Sequence, residues 1–277
     1  MFRESMMRAT TRGRHAAWLA AGFAAMLGAC SATQQPVNGI AAGTQAQAAQ
    51  AQPPAAIAAD GPLPVPPNLV ALAQPAGQKR LMSSAYKQSY WPLSQYFETQ
   101  RNEAYCSVAT SVMVLNALGI RRPPSSLYPD FPFFSQADFF RGIDAQVANA
   151  AQVSREGMTL DQLAAALTTF PVDVKKYHAN ELTLSQFRSL IRETTARRDR
   201  FVLLNFKRVE IGETGGGHWS PLGAYDARTD SALLLDVARY KYPAVWVPLP
   251  KLYAGALSVD NVSNLPRGIV IVGKRAE

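Results

Sequence analysis

The sequence predicts an α+β domain, and three observations carry that prediction. The stretch Gln100 to Leu118, QRNEAYCSVATSVMVLNAL, repeats apolar residues at helical spacing through Val108, Val112, Leu115 and Leu118. Two later segments open on capping-box patterns, Thr159-x-x-Gln162 and Thr183-x-x-Gln186. Beyond them the pattern changes to short strands: Phe201–Phe206, Trp219–Tyr225, Ala232–Val237 and Gly268–Gly273. Helices gathered in the first half and hairpin-linked strands in the second give an α+β arrangement with an antiparallel sheet.

Taken in order, residues 1–29 read as an export signal. A basic region up to Arg14 precedes an apolar run, Ala16 to Leu27, too short to span a membrane. It ends in LGAC, which resembles a bacterial lipobox and implies cleavage before Cys30 and lipidation of that residue. Ser31 follows, so the resemblance favours the outer membrane facing the periplasm over the inner membrane. An ordinary cleaved signal or an uncleaved anchor is the other reading.

Residues 30–78 contain one charged side chain, Asp60, in an Ala/Gln/Pro-rich setting. Such a composition offers little apolar surface to offset ordering entropy, so a disordered tether spanning about 40 Å is expected. The folded domain is then expected over 79–277.

Within it, the helix from Cys106 is apolar nearly all round, which marks it as buried. Gly119 ends it and Pro123-Pro124 prevents its continuation. The Pro-broken loop LYPDFPFF comes next, then an expected helix from about Ser135 to Val153. The two capped helices run to about Thr169 and Ala196, flanking a strand over Val172 to Tyr177.

The net charge is +8, and the four arginines and one glutamate of the leader account for three of those charges, leaving +5 on the remainder. The basic residues are not clustered with aromatics, which argues against a nucleic-acid partner. There are two cysteines, Cys30 and Cys106. If Cys30 is lipidated, Cys106 is the one free thiol and no internal disulfide can form. No CxxC pair suggests a structural zinc site.

Cys106 at the first turn of a helix faces unpaired N–H groups and the positive end of the dipole, which favour a thiolate. A plain buried cysteine is the commoner occupant of such a position. His218 begins one strand and Asp236 ends the next, across a hairpin centred near Ala227–Thr229. A carboxylate there can hold one imidazole nitrogen and leave the other as base for a cysteine nucleophile.

The run Gly215-Gly216-Gly217 permits close approach of a ligand. Arg239 and Lys241 suit a substrate carboxylate. Gln100 is one of several side chains able to stabilise an oxyanion. His178, in VKKYHAN, reads as a surface loop residue.

Together, QRNEAYCSVATSVMVLNAL, GGGHWSPLGAY and LLLDVARYKYPAVWVPL resemble the phytochelatin synthase family, over roughly Ser89 to Leu257. The resemblance implies a papain-like cysteine-peptidase fold. It implies attack on the glycyl bond of glutathione, release of glycine and a γ-glutamylcysteinyl thioester on Cys106. His218 and Asp236 complete the implied catalytic set, with Gln100 as oxyanion donor and Arg239 as substrate-binding residue. Gly216, Gly217 and Tyr242 are further substrate-binding candidates.

No tightly bound cofactor or protein-held metal is expected; cadmium or zinc would enter as a metal–glutathione thiolate substrate. Ser107 departs from the glycine that many members carry after the cysteine. The sequence stops soon after the matching region, without the Cys-rich C-terminal part of plant members, as in bacterial short forms that resemble glutathione hydrolases. A papain-like peptidase acting on periplasmic or cell-wall peptides, and a non-catalytic binding lipoprotein, are the alternatives. The oligomeric state is not legible.

Overall fold

A computed structural model describes residues 62–124 and 130–275. The expected leader, the lipidation site at Cys30 and the first part of the tether lie outside the described residues. No helix among the described residues is long and apolar enough to cross a membrane.

The framework is one seven-stranded sheet in the order β1-β6-β5-β4-β3-β7-β2. Its strands are β1 (Val70–Ala71), β2 (Val172–His178), β3 (Arg200–Lys207), β4 (Gly217–Asp226), β5 (Ser231–Leu234), β6 (Val245–Pro248) and β7 (Gly268–Lys274). Every pairing is antiparallel. The helices are α1 (Pro75–Ser83), α2 (Tyr90–Gln95), α3 (Cys106–Ala117), α4 (Ala150–Glu156), α5 (Leu160–Leu167), α6 (Leu184–Thr195) and α7 (Leu249–Leu257).

Alternation along β3 shows how the sheet is covered. Phe201 and Leu203 join one cluster with the apolar side chains of α3 and α5. Val202, Leu204 and Phe206 join another with Phe187 and Ile191 of α6 and Leu252 of α7. Successive strand residues point to opposite faces, so a strand buried on both sides reads as an unbroken apolar run. FVLLNF and LLL are such runs.

The expected elements recur with local differences. Thr159 and Thr183 each complete a capping box with Gln162 and Gln186. Gly119 follows α3 at φ 71°, a conformation that glycine adopts without strain.

The helix expected over 135–153 is not continuous. Gln136–Gly142 form turns, Gly142 sits at φ 86°, and α4 starts only after Asn149, whose side chain accepts from the Gln152 N–H. A positive-φ glycine interrupts the run, and a strong cap restarts it seven residues later.

The domain boundary also moves. Residues from 62 onward belong to the fold, where a tether to residue 78 was expected. Leu69 and Ala71 are each 6% exposed, β1 pairs with β6, and the Leu63 N–H donates to the Lys241 carbonyl at 2.8 Å. Pro75 occupies the first turn of α1, and Gly77 packs where a Cβ would meet the Ala71 carbonyl at 2.1 Å. Proline is tolerated on an edge strand and at a helix start, so a Pro-rich segment can dock there.

His178 is likewise not a loop residue. It ends β2, is 8% exposed, and its Nδ1 lies 2.6 Å from the Pro266 carbonyl with Nε2 3.3 Å from Asp161.

Candidate active site

Cys106 is the first residue of α3 and is buried at the floor of a cavity of about 290 Å³. His218, Trp219, Gly217, Asp260 and Arg267 line the same cavity. His218 is placed by β4, which pairs along β3 with His218 opposite Phe206. The Phe206 ring meets the imidazole edge-on at 5.7 Å.

Asp236 lies just past β5. The register shifts between Leu222 and Ala224, and beyond Leu234 the Leu235 N–H still donates to the Pro221 carbonyl opposite it, so the pairing runs up to Asp236. The Asp236 Oδ1 is 2.9 Å from Nε2 of His218. Nε2 also lies 3.1 Å from the Ser220 hydroxyl, whose oxygen accepts the Val237 N–H. Nε2 therefore carries the proton in the neutral ring, and Nδ1 is the nitrogen left to serve Cys106.

Asp236 is held by more than the histidine. The Arg208 guanidinium binds it in a fork, NH1 to Oδ2 at 2.6 Å and NH2 to Oδ1 at 2.9 Å. Ala238 N–H adds a bond to Oδ1 at 2.8 Å. Burial alone would raise the carboxyl pKa, but His218 and Arg208 outweigh it and hold Asp236 well below the usual carboxylate range. Arg208 was not singled out in the sequence. The apolar run before Asp236 demanded a partner for a buried carboxylate, and Arg208, at the end of the equally apolar β3, is a second one.

The electrostatics of the thiol run against the helix-terminus expectation. Burial pushes the Cys106 thiol above its ordinary range, opposed by hydrogen bonds from the Trp219 and Ser107 backbone N–H groups and by the Arg208 charge. Burial likewise pushes His218 down, against the pull of Asp236. Both shifts favour a neutral thiol beside a neutral imidazole in the resting site. Alkylation of Cys106 by iodoacetamide is thus expected to accelerate continuously from about pH 6 to about pH 9. A rate already flat from about pH 5 would show a resting thiolate–imidazolium pair and contradict this ordering.

Gln100, Gly216, Gly217, Tyr240 and Lys241 line a second, smaller cavity of about 110 Å³, which meets the first at Gly217 and His218. The Gln100 amide nitrogen donates to the Asn102 carbonyl at 2.8 Å and to the Tyr240 hydroxyl at 3.1 Å, so it is already engaged. A Cβ at Gly217 would stand 2.4 Å from the Arg267 guanidinium, so a larger residue there would have to displace that side chain.

Two candidates fall elsewhere. Arg239 is exposed and stacks 4.8 Å over the Phe97 ring, away from both cavities. Tyr242 is 2% exposed; its hydroxyl accepts the Thr214 N–H at 2.8 Å and Arg208 lies 5.3 Å over its ring, so it supports the site from behind. The cause is the turn in which the Lys241 and Tyr242 N–H groups both bond the Ala238 carbonyl. Around that turn Tyr240 and Lys241 reach the cavity and their neighbours do not.

Asp260 and Arg267 were also missed. Arg267 NH1 donates to Asp260 at 2.6 Å and to Asn205 at 2.9 Å, while its Nε is buried without a partner.

The family model described as phytochelatin synthase matches residues 61–269. "Glutathione gamma-glutamylcysteinyltransferase 3" of Lotus japonicus is 32% identical over 219 residues, 76% of this chain and 43% of the relative. "Glutathione gamma-glutamylcysteinyltransferase 1" of Triticum aestivum is 32% identical over 222 residues, 77% of this chain and 42% of the relative. "Glutathione gamma-glutamylcysteinyltransferase" of Schizosaccharomyces pombe is 26% identical, covering 70% of this chain and 45% of the relative. The chain thus spans less than half the length of these curated relatives.

Proposed function

The chain belongs to the phytochelatin synthase family, and from that premise we propose that it cleaves glutathione to glycine and a γ-glutamylcysteinyl thioester on Cys106. The observation that carries the reading is one cavity shared by Cys106, His218 and the charged pair Asp260–Arg267. A cysteine, a base and two opposite charges suit a zwitterionic peptide whose amide is to be opened. Arg267 lines the cavity and brings a guanidinium to a substrate carboxylate.

The steps follow from the geometry. As Cys106 Sγ attacks the glycyl carbonyl, its proton passes to Nδ1 of His218. Asp236, bonded to Nε2, stabilises the imidazolium that forms. The free N–H of Cys106 at the helix start faces the developing oxyanion, and Gln100 joins it once its amide turns from Asn102 and Tyr240. His218 then protonates the departing glycine amine, and the thioester remains.

Water or the amine of a second glutathione takes the acyl group from sulfur. We favour water, because it needs no site of its own, whereas an acceptor must be held in line with the thioester. The neighbouring cavity of about 110 Å³ is small for a tripeptide, since ligand pockets begin near roughly 300 Å³. Cadmium or zinc would act here only as a metal–glutathione thiolate substrate.

Incubation with glutathione, with and without cadmium, followed by chromatography, tests the proposal. Accumulating γ-glutamylcysteine and glycine is expected in both cases. Chains of two or more γ-glutamylcysteine units as main product would establish transfer instead. Turnover of longer peptides with none of glutathione would point to a peptidase.

A further inference from the structure

We propose that Glu213 is a positioning residue for the Cys106–His218–Asp236 machinery, acting through Arg208. The inference rests on the reading of that trio as catalytic, and nothing in the reaction itself uses Glu213.

Glu213 follows the 3₁₀ turn Arg208–Ile211 and is 2% exposed. Its Oε2 accepts from NH1 of Arg208, the nitrogen that also donates to Asp236 Oδ2. The Glu213 N–H in turn donates to the Arg208 carbonyl at 3.2 Å. A guanidinium is a rigid plane, so fixing NH1 from two sides and NH2 from one leaves it a single orientation. Tyr242 beneath the plane and the loop glycine Gly215 beside it close the remaining space, with a Cβ at 215 falling 3.0 Å from Arg208 Cδ.

The chain of contacts ends at the base. Oδ1 of Asp236 receives Arg208 NH2, the Ala238 N–H and His218 Nε2. Where Oδ1 stands sets the ring orientation of His218, and with it the line from Nδ1 to Cys106. Loss of the Glu213 contact frees one side of the fork, and displacements of about 1 Å at a reacting pair cost up to about a hundredfold in rate.

Glu213 is also kept at a penalty. Its Oε1 is buried without a partner, a defect that a smaller apolar side chain would avoid. Burial, opposed by Arg208 and reinforced by Asp236, pushes its pKa up to about 7. Near neutrality it is therefore partly protonated, so reach and hydrogen bonding, more than charge, define its service.

Three variants separate those possibilities. Glu213→Gln keeps length and an acceptor without charge, Glu213→Asp keeps charge but is one methylene short, and Glu213→Ala keeps neither. The readouts are the iodoacetamide alkylation rate of Cys106 and kcat and KM for glycine release from glutathione. Glu213→Asp and Glu213→Ala are expected to lose about tenfold in alkylation rate and kcat, with KM changed less than about twofold. Glu213→Gln should stay within about threefold of the parent.

Should Glu213→Ala not fold, the Asp and Gln variants still decide. A parent-like Glu213→Asp, a Glu213→Gln as slow as Glu213→Asp, or a loss carried by KM overturns the proposal. If the parent protein leaves glutathione untouched, the alkylation series still reads the positioning role, so the two ideas fail separately.

Discussion

Cys106→Ser is expected to abolish glycine release, with a loss of about 10³-fold or more. Cys106 is the one thiol among the described residues and shares its cavity with His218. A serine hydroxyl is a far weaker nucleophile, and His218, pushed down by burial, is too weak a base to ionise it. The fold should survive, because the side chains are close in size and a hydroxyl here meets the backbone N–H groups that serve the sulfur. Glycine release and a melting curve, measured on the same preparation, check the prediction. Residual turnover within tenfold of the parent would place the nucleophile elsewhere.

Arg208→Ala should have the largest effect on stability. The substitution leaves two buried carboxylates, Asp236 and Glu213, without the guanidinium that both contact. Breaking a buried ion pair in this way costs about 3–5 kcal/mol.

The loss of stability with rising pH that the raised Glu213 already gives the parent should also steepen. In the parent, Asp236 has a depressed pKa; its contribution is present above the unfolded value and is lost as pH falls toward the folded one. Without Arg208, Asp236 keeps only His218 and the Ala238 N–H against desolvation and its carboxyl rises, while Glu213, already up at about 7, is pushed higher. The folded state then binds the extra protons, so stability falls as pH rises from the acid range through neutrality. Urea unfolding at about pH 5.5 and about pH 8.5 measures this, and the variant should be the weaker at the higher pH. A loss below about 1 kcal/mol, or one that does not grow with pH, would show that the network is not a buried ionic one.

Much of this was legible because local and global signals agree. The capping boxes at Thr159 and Thr183 are satisfied within four residues, so tertiary context did not need to be known. The helix at Cys106 announced its burial through its lack of a polar face. His218 and Asp236 could be brought together because a hairpin limits how far two strand ends can separate.

The misreadings have a common origin in contacts made far along the chain. Val70 and Ala71 form a strand only because β6 offers an edge about 175 residues later. Arg208 and Arg239 are equally basic residues, each a few positions from an apolar strand. Only the turn at Ala238 sends one against Phe97 while β3 delivers the other to Asp236. For the thiol, the helix terminus was visible but the depth of burial, which outweighs it, was not.

The strand order carries a consequence for biosynthesis. β7, made last of the seven, lies between β3 and β2, pairing with both. Until residues 268–274 emerge, β2 has no sheet to join and β3 presents a bare flank beside the site's own strand. The pairs β3–β4, β4–β5 and β5–β6 can form earlier, but completion of the sheet awaits β7. Long-range pairings of this kind are slow to form, so β2 and the outer flank of β3 stay open until the last strand of the sheet has been made.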